Sequence, residues 1–268
     1  LVAMGGGATM DICKAVANLF ANEGSAASYQ GWDLVKNPGV FKVAIPTLSG
    51  TGAEATRTCV MTNKKTGLKL GMNSDHTVFD VVVMDPELSA TVPRNQYFYT
   101  GMDAYIHCVE ALEGTYRNPI GDAYSHQVLA LCREIFLEGD MMVSANREKL
   151  MVASYLGGCS IATSYVGVVH PFSAALSVVF GYPHCMANCI VMRAMEEFYP
   201  SACEEFWRMV EYQQVDIPQG ICKSIPDEVH QQLYEAAIIH EKPLTNALGD
   251  RFKSILTPAK VRSIFELM

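Results

Sequence analysis

The sequence has no run of eighteen apolar residues, so no segment is long and apolar enough to cross a bilayer as a helix. None of its nine cysteines forms a CxxC pair, the spacing on which zinc ribbons and thioredoxin-like redox centres are built. Odd in number and scattered among apolar residues, as at Cys132 and Cys159, they read as reduced thiols of a cytoplasmic protein. Basic clusters are also missing. With 20 Lys and Arg against 28 Asp and Glu, and a net charge of -8, the chain is a poor platform for nucleic acid. There is no internal repeat and no G-x-G-x-x-G fingerprint, and residues 100–268 show none of the apolar/polar alternation that marks strands.

What is present divides in two. Leu1–Met4 reads as the end of a buried strand that runs into Gly5-Gly6-Gly7, an opening expected of a chain whose first part is missing. Residues 8–21 then carry a helical pattern, with apolar positions at Met10, Cys13, Ala17 and Phe20. Further strand-like runs end at Pro46 and at Asp85-Pro86. Strand, glycine turn and helix in that order predict part of an α/β nucleotide-binding unit over residues 1–93. Residues 94–268 carry long 3.6-residue patterns, with a start at Asn118-Pro119 and stops at Pro200, Pro218, Pro226 and Pro243, and predict an all-helical second domain.

Four local patterns bear on chemistry. Gly5–Asp11 joins a strand to a helix, where glycines let a phosphate approach the backbone and free N–H groups meet it; a plain tight turn fits equally well. Pro46–Glu54 is rich in hydroxyls and glycine, as a ligand-lining loop at a strand end would be, or a turn in which Glu54 opens a helix. Asp103 and His107 stand four apart on a helix and share a face, as metal ligands do, yet Thr100 with Asp103 also reads as a capping box. Asp122 and His126 repeat the spacing, so spacing alone does not choose between the pairs. His170 and His184 flank an apolar segment and fit either ligands or satisfied core histidines.

In order along the chain, these segments resemble the iron-containing (group III) alcohol dehydrogenase family. Gly5–Asp11 is similar to its GGGSxxD loop, Pro46–Glu54 to PTTxGTGSE, and Asp85–Leu88 to DPxL. Gly101–His107 is similar to GMDAxxH, and Val169-His170 with Gly181–Asn188 to GxxH…PHGxAN. The resemblance implies one divalent metal, Fe or Zn, on Asp103, His107, His170 and His184, which would also be the catalytic centre. It implies NAD, with NADP left open, near Gly5, Gly6, Gly7, Asp11, Thr47, Ser49, Thr51 and Lys69. It leaves Asp122 and His126 to an ordinary helix, capped by Asn118 and opened by Pro119.

The implied protein is a homodimeric NAD(P)-dependent alcohol dehydrogenase with a small-molecule substrate and no nucleic-acid or membrane partner. Two positions depart from the pattern. Ala174 stands where many members have a histidine beside the nicotinamide, and Ala53 replaces the serine of GTGSE. Segments 187–192, 196–200 and 218–222 resemble the branch containing 3-deoxy-D-manno-octulosonate 8-oxidases, which implies oxidation of the terminal hydroxyl of an acidic sugar. Arg57 is then the expected carboxylate clamp. Two other readings stand beside this one: a dehydroquinate-synthase-like NAD- and metal-dependent lyase, and a non-catalytic helical protein with a structural metal.

Overall fold

The glycines after Met4 end a strand and begin a helix within three residues. In the computed structural model, which describes residues 1–268, β1 (Val2–Gly5) turns at Gly5, φ +156°, directly into α1 (Gly7–Leu19). Helix α1 buries Met10, Cys13 and Ala17, as the spacing requires. Phe20 departs from that pattern. It lies one residue past the helix and faces solvent with Ile12 and Val16, forming an apolar stripe at i, i+4 and i+8.

After β2 (Gly31–Trp32) the chain forms β3 (Val43–Pro46), β4 (Thr58–Thr62), β5 (Lys69–Asn73) and β6 (Val81–Val82). One sheet is parallel with order β1-β3-β6; the other has order β2-β5-β4, with β4 antiparallel to β5. The segment after β3 does not become a helix at Glu54. Residues 53–55 make a turn, and Arg57 leads into β4. The reason is tertiary. Glu54 is buried and its carboxylate accepts a hydrogen bond from Ser154 Oγ at 2.9 Å, so the loop is fixed by a helix a hundred residues away.

No strand occurs from residue 94 onward. The helices are α2 (Arg94–Glu113), α3 (Pro119–Leu137), α4 (Ser144–Ser164), α5 (Val169–Phe180), α6 (His184–Met192), α7 (Pro200–Gln213), α8 (Asp227–Ile238), α9 (Glu241–Leu248), α10 (Phe252–Ile255) and α11 (Pro258–Glu266). Asn118 caps α3 by accepting from the N–H groups of Ile120 and Gly121, and Pro119 opens it. The prolines expected as stops act mostly as starts: Pro200 is the first residue of α7, Pro226 precedes α8, and Pro243 lies in the first turn of α9. Proline lacks only an N–H that the first turn leaves unpaired anyway.

One core cluster of 49 buried residues, Tyr97 to Met268, holds the helical part together, against clusters of 6 and 4 in the α/β part. Helix α2 runs through its middle, and every residue from Tyr97 to Ala111 is buried. Its polar side chains therefore have to find partners inside the protein.

Candidate active site

Three polar residues of α2 lie on one face at i, i+4 and i+7: Asp103, His107 and Glu110. Thr100 and Asp103 do not form a capping box, because both lie well inside α2, and Thr100 Oγ1 donates to the Gln96 carbonyl one turn back. Helix α5 brings His170 to this face as its second residue, and α6 brings His184 as its first. The left-handed Gly181, φ +76°, ends α5 and turns the chain toward α6.

Around Asp103 Oδ1 the Nε2 atoms of His107 and His170 stand at 3.5 Å and that of His184 at 3.7 Å. Asp103, His107 and His170 offer ligand atoms that all lie within 4.8 Å of one another. Ligands about 2.1 Å from a tetrahedral metal stand about 3.4 Å apart, so the observed spacing fits a single ion. The chemistry of the set agrees. Imidazole and carboxylate without thiolate suit iron(II), zinc or cobalt. Side-chain exposure rises across the four, from 0% at Asp103 through 4% at His107 and 12% at His170 to 33% at His184. The cluster is thus closed below and open on one side, as a site that admits a substrate must be.

Charge is shared among these side chains. Burial would raise Asp103, but the imidazoles of His107, His184 and His170 outweigh it and hold its carboxyl well below the usual carboxylate range. Burial pushes His107 down to about 4, only partly offset by Asp103. His170 goes the other way: burial opposes its charge, but Glu110 and Asp103 prevail and raise it to about 9.

Glu110 is the functional residue that the sequence reading missed. It is buried; one carboxylate oxygen accepts from the Val169 N–H at 2.6 Å and the other is hydrogen-bonded to His170 Nδ1. That contact leaves Nε2 of His170 free to face the cluster. Two residues of α6 complete the surroundings. Cys185 Sγ donates to Asp103 Oδ2 at 3.3 Å, and Asn188 Nδ2 donates to Oδ1 at 2.6 Å. The i, i+4, i+7 spacing of Asp103, His107 and Glu110 was a usable signal, and Asn188 is the last residue of the PHGxAN-like segment; nothing local marked Cys185.

The other Asp/His pair is not brought to a cluster. Asp122 accepts two hydrogen bonds from Arg117 Nε, each 2.9 Å, and His126 is exposed on α3.

The two candidate cofactor loops meet. The Thr47 N–H donates to the Gly5 carbonyl at 2.9 Å, and a Cβ on Gly7 would lie 3.0 Å from Thr51 Oγ1. Ser49 is buried with its Oγ unpartnered, and the first turn of α1 has no side-chain cap. Free donors beside side-chain-free backbone fit a phosphate group. Asp11 lies one turn into α1, half-buried, and Lys69 begins β5. Burial lowers the pKa of Lys69, and the carboxylates of Asp11 and Asp103 pull it back up. Arg57 does not point to this region as a free clamp. Its guanidinium is taken up by Asp33 and by Asp75, the latter at 2.9 Å.

Comparison with known proteins agrees with this architecture. The family model for iron-containing alcohol dehydrogenase matches residues 1–86, and that for the Fe-containing alcohol dehydrogenase family, C-terminal, matches residues 97–235. The chain is 35% identical over 191 residues to a sulfoacetaldehyde reductase of Bilophila wadsworthia, covering 70% of this chain and 49% of that one. It is 33% identical over 194 residues to a 1,3-propanediol dehydrogenase of Citrobacter freundii, covering 72% and 50%. It thus spans about half the length of the curated relatives it matches. Among solved structures it is similar to a 1,3-propanediol oxidoreductase (TM-score 0.85, 24% identity, 98% of this chain and 75% of that one). It is similar also to a sulfoacetaldehyde reductase from Bifidobacterium kashiwanohense in complex with NAD+ (TM-score 0.80, 24% identity, 98% and 74%). The match of the C-terminal family model to more than half of the residues, over the helices that carry the Asp/His cluster, decides the assignment: the chain belongs to the iron-containing alcohol dehydrogenase family.

Proposed function

We propose that this protein transfers hydride between the carbon of an alcohol and a nicotinamide cofactor, at a single divalent metal held by Asp103, His107, His170 and His184. The observation that carries the reading is the convergence of three Nε2 atoms on one oxygen of a fully buried carboxylate, closed below and open at His184. Such a metal lowers the pKa of a hydroxyl, and nicotinamide accepts the hydride. The protein's part is placement. Asp103 and His107 come fixed on one buried helix, Glu110 orients His170, and the Gly5–Gly7 turn with Thr47, Ser49 and Thr51 binds the cofactor phosphates. Asp11 and Lys69 lie where the cofactor passes toward the metal. Residues 1–93 would then be the nucleotide-binding part and residues 94–268 the metal-binding part, with the reaction between them. The named relatives act on small alcohols or aldehydes, which supports the reaction class.

The substrate we propose is anionic, with the terminal hydroxyl of an acidic sugar such as 3-deoxy-D-manno-octulosonate as the leading case. Ala174, one turn after His170 and partly exposed, leaves room where an imidazole would stand. With Arg57 bound to two aspartates, Lys69 is the cation available to an acid in the cleft. On a chain of net charge -8, such a local cation has to act against the global field.

The test is reduction of NAD by the purified, metal-loaded protein, comparing kcat/KM for the octulosonate with that for 1,3-propanediol. No hydride transfer from any alcohol overturns the reaction; preference for propanediol overturns only the substrate class. His170→Ala is expected to abolish both metal retention and turnover, and His126→Ala to leave metal content unchanged. Full metal occupancy in the first variant, or loss in the second, would show the wrong ligand set.

A further inference from the structure

We infer that Cys185 is a positioning residue of the metal site: its thiol holds Oδ2 of Asp103, so that Oδ1 is the oxygen presented to the three imidazoles. This rests on the reading of Asp103, His107, His170 and His184 as ligands. Oδ2 receives one hydrogen bond, from Cys185 Sγ at 3.3 Å. Oδ1 receives Asn188 Nδ2 at 2.6 Å and faces the Nε2 atoms. Both donors sit on α6, in the turn that begins with His184. One helix therefore supplies a ligand and grips both oxygens of another.

Physical chemistry gives this grip a consequence. Asp103 is fully buried, so no bulk water replaces a lost donor at Oδ2. Without the thiol the carboxylate would be held only at Oδ1, by Asn188, and Oδ2 would be free to turn toward a bound ion. Hydrogen bonds to a ligating carboxylate set metal affinity in this way. The PHGxAN motif that Pro183–Asn188 resembles has glycine at this place, which has no side chain to donate; here the donor belongs to this chain. A thiolate ligand is the rival role for a soft sulfur. Geometry speaks against it, because Sγ touches the oxygen that does not face the imidazole nitrogens.

The experiment titrates the metal-free protein with Co2+ and with Zn2+ against a chromophoric chelator, for wild type, Cys185→Ser and Cys185→Ala. Wild type is expected to take one ion per chain. Cys185→Ala should weaken binding by about 10- to 100-fold. Cys185→Ser, which keeps a donor, should stay nearer to wild type than to Cys185→Ala. The cobalt spectrum of wild type should lack a thiolate charge-transfer band, and thermal melts should show both variants folded. Unchanged affinity in Cys185→Ala, or equal loss in both variants, overturns the positioning role. A thiolate band would make Cys185 a ligand and overturn it too. If wild type takes up no stoichiometric ion, or His170→Ala keeps its full complement, the ligand reading itself has failed, an outcome distinct from the other three.

Discussion

His170 is held at its Nδ1 by Glu110 and left with Nε2 toward the cluster, while the same carboxylate accepts the N–H that opens α5. Glu110 itself is buried, and replacing it by Ala removes both partners at once. We expect metal affinity to fall about 10- to 100-fold. Breaking the buried pair should also lower the stability of the metal-free protein by about 3–5 kcal/mol. Chelator competition and urea unfolding measure the two effects; wild-type values in both would refute the role. Asp11 offers a pH-dependent counterpart away from the ligands. Burial raises its pKa to about 6 from a reference of 3.8, against the pull of Lys14. The folded protein therefore holds this proton more tightly than the unfolded chain, and stability from Asp11 falls as pH rises from about 4 to about 6. Asp11→Asn should gain on wild type across that window. A stability difference that does not change between pH 4 and pH 7 would contradict it.

At the scale of elements, small residues decide how the loop after β3 meets the helices. Gly52, φ +60°, packs against Gly158 in α4 so closely that a Cβ on Gly158 would overlap the Gly52 carbonyl oxygen. Gly157, its neighbour, has room: a Cβ there would meet Ala104 at an ordinary 3.6 Å. Both positions are interior to a helix, where alanine is intrinsically favoured over glycine by about 1 kcal/mol. Gly157→Ala should therefore raise Tm, whereas in Gly158→Ala an overpacking cost of about 1–3 kcal/mol should win and lower it. Differential scanning calorimetry of the two separates the effects, and shifts of the same sign would refute the packing argument. These contacts also explain what the sequence could and could not reveal. The Gly5–Gly7 turn, the Asn118 cap and the helical spacing of Asp103 and His107 are written in neighbouring residues and were legible. The turn at Glu54 depends on Ser154, and the choice of Asp103 over Asp122 depends on α2 being buried while α3 offers Arg117 at the surface. Glu110 looked like any helical acid until His170, sixty residues on, was set beside it. The β4–β5 hairpin was missed because Thr58–Thr62 and Lys69–Asn73 lack clean alternation.

For the whole molecule, burial is unevenly spread. The helical part has one large core, whereas the α/β part has two small ones and shows solvent Ile12, Val16 and Phe20 along one face of α1. An exposed apolar stripe of this kind promotes association between chains. A chain of these 268 residues is expected to self-associate at micromolar concentration, and Phe20→Glu combined with Ile12→Lys should reduce it. Light scattering checks both; a monodisperse monomer before any substitution would refute the expectation. The same unevenness bears on traffic through the metal cluster. Asp103 and His107 form its floor, and His184 is its rim, a third exposed. The exposed side of the cluster lies at His184, where an ion or a chelator would approach. On the proposed ligand set, how much metal the protein holds at equilibrium would be governed chiefly by the floor, and how fast that metal is exchanged by the rim, so that occupancy and exchange rate would be under the control of different residues.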